Sequence, residues 1–283
     1  MGSPTPGEAS MRCTTSLAKA ALALVLPFIL AHCASLLSER LPLTYDAKSV
    51  GGPNSGAPLQ LRLPPGNGPF PAVLVMHSCS GITDNTRSWA GRLVGWGYAA
   101  VIVDSFGPRN QRNLCEVNKG SIPQTLSAQD AFNAAIYLRT LPDIQADRIG
   151  IIGFSFGGTT TFWASMAEGI PVDRGGRPFQ AAVAYYPTCS GGTILSPFAT
   201  DVLILIGKDD DWTPADLCIK TVAARANQTR PPAIKVYPGA VHSFDRGGLP
   251  RPYLGHMVGG NAEAAADSFA MTEAFLAARL KVK

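Results

Sequence analysis

Short apolar runs alternate along the chain with longer segments whose apolar residues recur at helical spacing. The runs are four to six residues long and rich in β-branched residues, which is typical of strands buried in a sheet. They lie at residues 59–63, 72–76, 98–103, 149–152, 181–186, 202–206 and 234–237. Helices are predicted at residues 86–94, 127–139, 158–168, 214–226 and 261–281. Strands that alternate with helices predict an α/β protein with a mostly parallel, doubly wound sheet flanked by helices.

One of these strands runs into a turn that has a serine at its tip. Residues 149–152 are followed by Gly153-Phe-Ser-Phe-Gly157, which fits the motif G-x-S-x-G, and then by a helical segment. Strand, tight turn and helix form the context in which this motif exposes a nucleophilic serine. The alternative is a glycine- and serine-rich turn without chemistry. The context favours Ser155 as a nucleophile, beside a helix N-terminus that stabilises developing negative charge.

A serine nucleophile needs a base to take its proton and a carboxylate to orient that base. In a doubly wound sheet these groups lie where the strands end, with the acid before the histidine in the chain. The strand at 202–206 is followed by three aspartates, at positions 209 to 211, and the strand at 234–237 by His242. His242 is therefore the predicted base, whereas the residues alone leave the acid open among the three aspartates.

Two other histidines compete with His242. His77 ends the strand at 72–76, where a hydrogen-bonded structural imidazole near the site is the better interpretation. His256 lies in the segment before the last helix, where a surface position is expected. Neither histidine is predicted to act as the base.

An acyl-transfer site also needs two backbone N–H donors for the oxyanion. The residue after the nucleophile, Phe156, is expected to supply one of them. The other is expected from the turn after residues 72–76, at Ser78 or Cys79, because small residues there permit a close backbone approach. The alternative is that this turn is an ordinary loop at a strand end.

Composition narrows the classes of function. The chain has 283 residues and a net charge of +4, but only 16% of its residues are charged and the basic ones are scattered. Nucleic-acid binding is therefore not expected. No group of residues has the spacing of metal ligands, and no metal or cofactor is predicted. No long insertion separates the strands at 181–186 and 202–206, which predicts a single domain over residues 35–283 without a large lid.

The first 34 residues are predicted to be a signal region outside the fold. Arg12 and Lys19 precede the apolar stretch 20–31, and small residues follow, which is the order of a cleaved secretory signal. Met11 is an alternative start. The stretch is short for a bilayer span, so the mature protein is expected to have none and to be exported, either periplasmic or secreted. An uncleaved membrane anchor and a lipid anchor at Cys33 are the alternatives.

An exported protein meets an oxidising environment, which affects the expected state of its cysteines. Four of the six lie beyond the signal region, and an even number in an oxidising compartment predicts two disulfides. Of the three possible pairings, Cys79–Cys115 and Cys189–Cys218 are favoured, because each pair would lie in loops that follow neighbouring strands. The alternative is four buried free thiols.

The motifs at the strand ends resemble those of the dienelactone hydrolase family, within the α/β-hydrolase fold, over about residues 72–280. They are Gly153-Phe-Ser-Phe-Gly157, Gly207-Lys-Asp-Asp210 with Pro214 four residues beyond, and His242-Ser-Phe244. The family places the acid three residues after that glycine and four before the proline, which implies Asp210. Aligning Gly81 with the glycine of the family's oxyanion turn implies Cys79 as the second donor. The founding enzymes carry a cysteine where this chain has Ser155, and many serine relatives are general ester hydrolases.

The resemblance also implies two arginines that bind a substrate carboxylate. Arg246 follows His242 by four residues, where the family places one of them, and Arg109 falls one residue from the position of the other. An arginine fork binds a carboxylate through two parallel hydrogen bonds. The alternative for each arginine is a salt bridge or an anchor within a loop.

These observations predict a cofactor-free, exported serine hydrolase that acts on small esters or lactones, including anionic ones. Ser155, His242 and Asp210 would form its triad, and Cys79 and Phe156 would hold the oxyanion. A peptidase of the same fold and a non-catalytic secreted binding protein are the alternatives. The sequence does not specify the oligomeric state.

Overall fold

A seven-stranded sheet forms the centre of the computed structural model, which describes residues 59–116, 122–189 and 196–281. Its strands are β1 (Leu59–Arg62), β2 (Phe70–Met76), β3 (Ala99–Val103), β4 (Ile144–Phe154), β5 (Ala182–Tyr185), β6 (Val202–Gly207) and β7 (Ala233–Tyr237). The spatial order is β1-β3-β2-β4-β5-β6-β7. Only β1, at one edge, runs antiparallel to its neighbour. The predicted α/β class and mostly parallel sheet are confirmed.

Five helices flank this sheet in the described part of the chain. They are α1 (Asp84–Gly95), α2 (Gln124–Leu138), α3 (Phe156–Ala164), α4 (Ala215–Ala223) and α5 (Ala262–Leu280). Each predicted helix is present, although α3 ends four residues before the predicted bound, at a 3₁₀ turn over Ala167–Gly169. The long α5 is rich in alanine and begins where the Asn261 side chain accepts a hydrogen bond from the Ala264 N–H at 3.0 Å.

The strands are apolar because they are covered on both sides. Every residue of β3, β5 and β6 is buried. Helix α5 is held to the sheet by a polar contact as well, since the Tyr185 hydroxyl donates to the Ser268 carbonyl oxygen at 3.0 Å and lies 2.8 Å from the Thr272 hydroxyl. Because the strands from β2 to β7 are parallel, their carboxyl ends meet at one edge of the sheet.

A short hairpin follows β7, which was predicted to be the last strand. Strands β8 (Arg251–Tyr253) and β9 (His256–Val258) pair antiparallel across a two-residue turn. Each strand has only three residues and β8 contains a proline, so neither shows a detectable alternation of apolar and polar positions. The hairpin lies over the carboxyl edge of the sheet, since Val258 bridges to His242.

Both favoured disulfides are present. Cys79 is bonded to Cys115 and Cys189 to Cys218. The first pair joins the turn after β2 to the segment after β3, and the second joins the segment after β5 to α4. The prediction from neighbouring strand ends is confirmed for both pairs.

The described residues all belong to one compact unit. The predicted signal region at 1–34, with Met11 and Cys33, lies outside the described residues. No helix in the described part of the chain combines the length and the apolar character that crossing a membrane requires.

Candidate active site

Ser155 lies at a sharp turn between β4 and α3. Its backbone has φ 54° and ψ −113°, a region that a non-glycine residue rarely occupies. A Cβ on Gly153 would collide with the carbonyl group of Gly157, and a Cβ on Gly157 would collide with that of Met76. Glycine is therefore required on both sides of the serine, because the backbone segments approach too closely for a side chain.

A continuous chain of hydrogen bonds runs through three side chains at the ends of β4, β6 and β7. His242 Nε2 lies 3.0 Å from Ser155 Oγ, and His242 Nδ1 lies 2.8 Å from Asp210 Oδ2. Because a carboxylate only accepts, Nδ1 carries the hydrogen and Nε2 is left to accept from the serine hydroxyl. All three residues are buried, with relative exposures of 8%, 2% and 4% for Ser155, His242 and Asp210.

The carboxylate of Asp210 is saturated with donors. Its Oδ1 accepts from the backbone N–H groups of Trp212 and Thr213, at 3.0 and 2.8 Å, and its Oδ2 lies 2.8 Å from the Thr213 hydroxyl. Neighbouring aspartates are placed differently, since Asp209 and Asp211 are exposed. The structure therefore brings only Asp210 of the three to His242.

Aromatic rings enclose the imidazole of His242. Trp212 lies 5.1 Å away and Tyr186 lies edge-on at 4.7 Å, both measured between ring centroids. The Tyr186 hydroxyl donates to Asp245 at 2.7 Å, and the same buried carboxylate accepts from Trp89 Nε1 at 2.7 Å. Burial first, and then the charge of Asp245, raise the pKa of Tyr186 far above its ordinary value, so that this tyrosine stays protonated. The network ties the segment that carries His242 to α1.

The turn after β2 faces the serine from the other side. Gly81 has φ 74° and its N–H donates to the Ser78 carbonyl oxygen at 3.0 Å. Cys79 lies within this turn and lines the same pocket as Ser155. Phe156 is the first residue of α3, where backbone N–H groups have no acceptor within the helix.

His77 lies directly behind the turn and is 2% exposed. Its Nδ1 lies 2.9 Å from the Ser78 carbonyl oxygen, and its Nε2 accepts from the Ser105 N–H at 3.2 Å. Burial lowers the pKa of His77, against smaller opposing effects of the Ser78 carbonyl and Asp104, so the ring is neutral at neutral pH. The ring is a structural imidazole that holds the peptide between Ser78 and Cys79.

A pocket of about 170 Å³ opens above Ser155 and His242. The Cys79–Cys115 disulfide forms part of its wall, and Arg246, Arg251 and Tyr253 also line it. Arg251 and Tyr253 belong to the unpredicted hairpin, as does His256, whose ring stacks on Trp212 at 4.7 Å.

The two predicted arginines are placed differently. Arg246 lines the pocket and is exposed. Arg109 does not line it, because its guanidinium forms a two-pronged ion pair with Asp130 of α2, at 2.8 and 3.0 Å. Asp130 is fully buried, so Arg109 is an anchor for the segment after β3. The sequence did not indicate Arg251, which lines the pocket together with Arg246.

Ser155 and His242 line the pocket, and Asp210 is hydrogen-bonded to His242 behind it. Within residues 59–116, 122–189 and 196–281, no group of three or more His, Cys, Asp or Glu side chains is arranged to hold a metal ion.

Comparison with known proteins finds one family model and one relative that match most of the chain. The model of the dienelactone hydrolase family matches residues 60–280. A Bradyrhizobium protein described as a probable 2-oxo-3-(5-oxofuran-2-ylidene)propanoate lactonase is 25% identical over 212 residues, which cover 71% of this chain and 84% of that protein.

Solved structures share the fold. A dienelactone hydrolase-like promiscuous phosphotriesterase from metagenomic libraries superposes with a TM-score of 0.65 at 20% identity, covering 84% of this chain and 97% of that one. A thermophilic esterase from Thermogutta terrifontis, solved with propionate bound, superposes with a TM-score of 0.64 at 14% identity, covering 89% and 99%.

The parallel sheet and the serine turn at its carboxyl edge define an α/β-hydrolase. Because the family model spans most of the chain, this chain belongs to the dienelactone hydrolase family. It is a hydrolase of ester bonds, in line with the resemblance in its motifs.

Proposed function

We propose that the protein is an exported serine hydrolase that cleaves small carboxylic esters or lactones through an acyl-enzyme. The observation that carries the proposal is the hydrogen-bonded chain from Asp210 through His242 to Ser155, at the floor of a pocket. Ser155 is the nucleophile, His242 the general base and Asp210 the residue that orients His242.

The reaction follows from this geometry in two halves. His242 Nε2 takes the proton of Ser155 as the hydroxyl oxygen attacks the ester carbon, and the imidazolium then protonates the leaving alkoxide. Asp210 stabilises the imidazolium through the bond to Nδ1. Water attacks the acyl-enzyme in the second half with the same proton transfers, which releases the acid and restores the serine.

The oxyanion formed in each half is held by the backbone N–H groups of Phe156 and Cys79. Support for Phe156 comes from its place at the start of α3, where unpaired N–H groups and the helix dipole favour negative charge. Support for Cys79 comes from its place in the turn that lines the pocket opposite the serine.

The substrate class is a small anionic ester or lactone. Arg246 and Arg251 line the pocket, and within the described part of the chain neither has a carboxylate partner in the ion pairs found. Two guanidinium groups beside a pocket of about 170 Å³ favour a substrate that carries a carboxylate and a short carbon skeleton. Arg109 has no part in this binding, because Asp130 occupies its guanidinium.

Export is supported by the two disulfides, which persist in oxidising compartments. It is also supported by the order of basic, apolar and small residues before residue 36. The mature protein is proposed to act outside the cytoplasm.

A fluorophosphonate probe tests the nucleophile. Wild-type protein is expected to be labelled at Ser155, and Ser155→Ala is expected to lose both labelling and the hydrolysis of p-nitrophenyl acetate. A non-catalytic binding protein would not be labelled, and a peptidase would be labelled but would hydrolyse peptides faster than esters. Labelling that persists in Ser155→Ala would refute the assignment.

Arginine variants test the substrate class. Arg246→Ala and Arg251→Ala are each expected to lower kcat/KM for a carboxylate-bearing lactone by about 10-fold to 100-fold, because a charge-assisted hydrogen bond is lost. Turnover of the neutral p-nitrophenyl acetate should change little. Arg177→Ala is the matched control, since Arg177 forms an exposed ion pair with Asp147. Equal losses for neutral and anionic substrates would rule out carboxylate recognition.

A further inference from the structure

The turn that supplies the second oxyanion donor is bonded covalently to another segment. Cys79 lies in the turn after β2 and its sulfur is bonded to Cys115, in the segment after β3, 36 residues later in the chain. Both cysteines line the pocket of Ser155. The disulfide is therefore part of the wall of the pocket, and it is attached to the residue whose N–H is proposed to hold the oxyanion.

Further contacts hold the same two segments together. The Leu114 N–H donates to the Cys79 carbonyl oxygen at 2.7 Å, and the Ser80 hydroxyl lies 3.2 Å from the Cys115 sulfur. A Cβ on Gly81 would stand 2.5 Å from the Arg112 carbonyl oxygen, which shows how closely the segment is packed on the turn. The position of the turn thus depends on the segment around Cys115.

The peptide between Ser78 and Cys79 is held from both ends. On one side, His77 Nδ1 lies 2.9 Å from the Ser78 carbonyl oxygen. Because the carbonyl and the N–H of a trans peptide point in opposite directions, this contact turns the Cys79 N–H away from His77. On the other side, the disulfide fixes the Cα of Cys79. The disulfide therefore adds a covalent constraint to a turn that is otherwise held by hydrogen bonds alone.

The two disulfides differ in access to solvent. Cys79 and Cys115 are partly exposed beside the pocket, whereas Cys189 and Cys218 are 3% and 0% exposed. A thiol reductant in solution must reach a sulfur atom to exchange with it, so the first disulfide reacts before the second.

We infer that the Cys79–Cys115 disulfide positions the oxyanion donor, so that Cys115 is a positioning residue for hydrolysis and opening the bond lowers turnover. The inference rests on the function proposed above. In the opening step a dithiol reductant closes its own disulfide and gives up two hydrogen atoms, and Cys79 and Cys115 become free thiols. The turn then keeps its hydrogen bonds to His77 and Leu114 but loses its covalent constraint.

The effect is expected in turnover and not in substrate binding. An oxyanion donor acts on charge that develops in the transition state, and losing one such donor outright costs about 100-fold to 1,000-fold in kcat. Misaligning a donor that is still present should cost less, about 10-fold to 100-fold in kcat, with KM changed by no more than about twofold.

The test compares oxidised wild-type protein with protein treated with dithiothreitol under native conditions. Alkylation and peptide mapping identify which disulfide has opened, and near-ultraviolet circular dichroism checks that the protein remains folded. Once the 79–115 bond alone is open, kcat is expected to fall as stated, and reoxidation should restore it. Affinity for an aryl trifluoromethyl ketone, which forms a tetrahedral adduct with Ser155, should fall in parallel with kcat.

Variants give the matched control. Cys79→Ser with Cys115→Ser should reproduce the fall in kcat, whereas Cys189→Ser with Cys218→Ser should lower thermal stability and leave kcat of the folded protein unchanged. An unchanged kcat after the 79–115 bond is opened would overturn the inference. An equal fall in kcat in the variant that lacks Cys189 and Cys218 would overturn it too. If the fluorophosphonate does not label Ser155 in oxidised wild-type protein, the proposed function itself is overturned. If a double variant does not fold, the reduced wild-type protein still decides the question.

Discussion

At the scale of single residues, backbone conformation decides the site more than side-chain chemistry does. Ser155 occupies a positive φ because β4 must turn at once into α3, and Gly153 and Gly157 allow it because no Cβ fits at either position. The prediction of a sharp turn at this motif is therefore confirmed, and the nucleophile stays a prediction. His77 was correctly predicted to be structural, since a histidine that ends a buried strand has backbone groups within reach of both ring nitrogens.

Gly157→Ala should destabilise the protein, because the new methyl group would meet the carbonyl groups of Met76 and His77. Overpacking against backbone costs about 1–3 kcal/mol, to be measured as the free energy of unfolding in urea. Gly91→Ala is the control. Gly91 lies exposed within α1 and its Cβ would meet nothing within 4 Å, so this change should stabilise by about 0.5–1 kcal/mol. Similar effects at the two glycines would contradict the close packing seen at the serine turn.

The buried His77 should make stability depend on pH. Its pKa is lowered in the folded state, so below the ordinary value of 6.5 the unfolded chain binds a proton that the folded protein does not. The contribution is complete above pH 6.5 and is lost as pH falls towards the lowered pKa. Thermal melts of wild type and His77→Asn from pH 7.5 to 5 should therefore converge on acidification. If the melting temperatures of the two proteins instead fall by the same amount as the pH is lowered, His77 does not titrate in this way.

At the scale of elements, the strand ends bring the site together, and the loop after β6 and the hairpin of β8 and β9 complete it. The loop after β6 supplies Asp210, and its neighbour Asp211 accepts a hydrogen bond from the Met257 N–H at 3.1 Å, which holds the hairpin of β8 and β9. The hairpin in turn places Arg251 at the pocket. Periodicity could not reveal a hairpin of three-residue strands, so Arg251 and Tyr253 were missed.

Arg109 should matter for stability and not for substrate binding. Arg109→Leu leaves the buried Asp130 without its guanidinium partner, which should cost about 3–5 kcal/mol of stability, measured in urea. KM for a carboxylate-bearing lactone should stay unchanged in the protein that remains folded. Asp130→Asn in the same chain should recover part of the lost stability, because a neutral amide costs less to bury than a carboxylate that has lost its guanidinium. If KM rises for anionic substrates but not for neutral ones, Arg109 does bind the substrate carboxylate.

At the scale of the whole molecule, all residues of the proposed site lie well inside the segment that matches the family. The pocket residues run from Ser78 to Val258, and the family model covers residues 60–280. The proposed triad combines residues at strand ends that are 32 and 87 residues apart in the chain.

A chain that begins at residue 35 should therefore keep its activity. Its kcat/KM for p-nitrophenyl acetate is expected to lie within about twofold of that of the full chain, because a signal region does not contribute to the folded enzyme. Mass spectrometry of the protein exported from its native cells should find a new N-terminus near residues 33–35. A large fall in activity on removing these residues would show that they contribute to the fold.

The order of apolar runs and helical segments determined the class of fold, because each element's pattern reports the faces that it buries. The motifs beside the strand ends determined which residue types converge, since parallel strands must end at one edge. Tertiary structure alone decided which arginine remains available at the pocket and where the hairpin lies. Those outcomes depend on contacts between segments far apart in the chain, such as Arg109 with Asp130 and Asp211 with Met257, which no local pattern encodes.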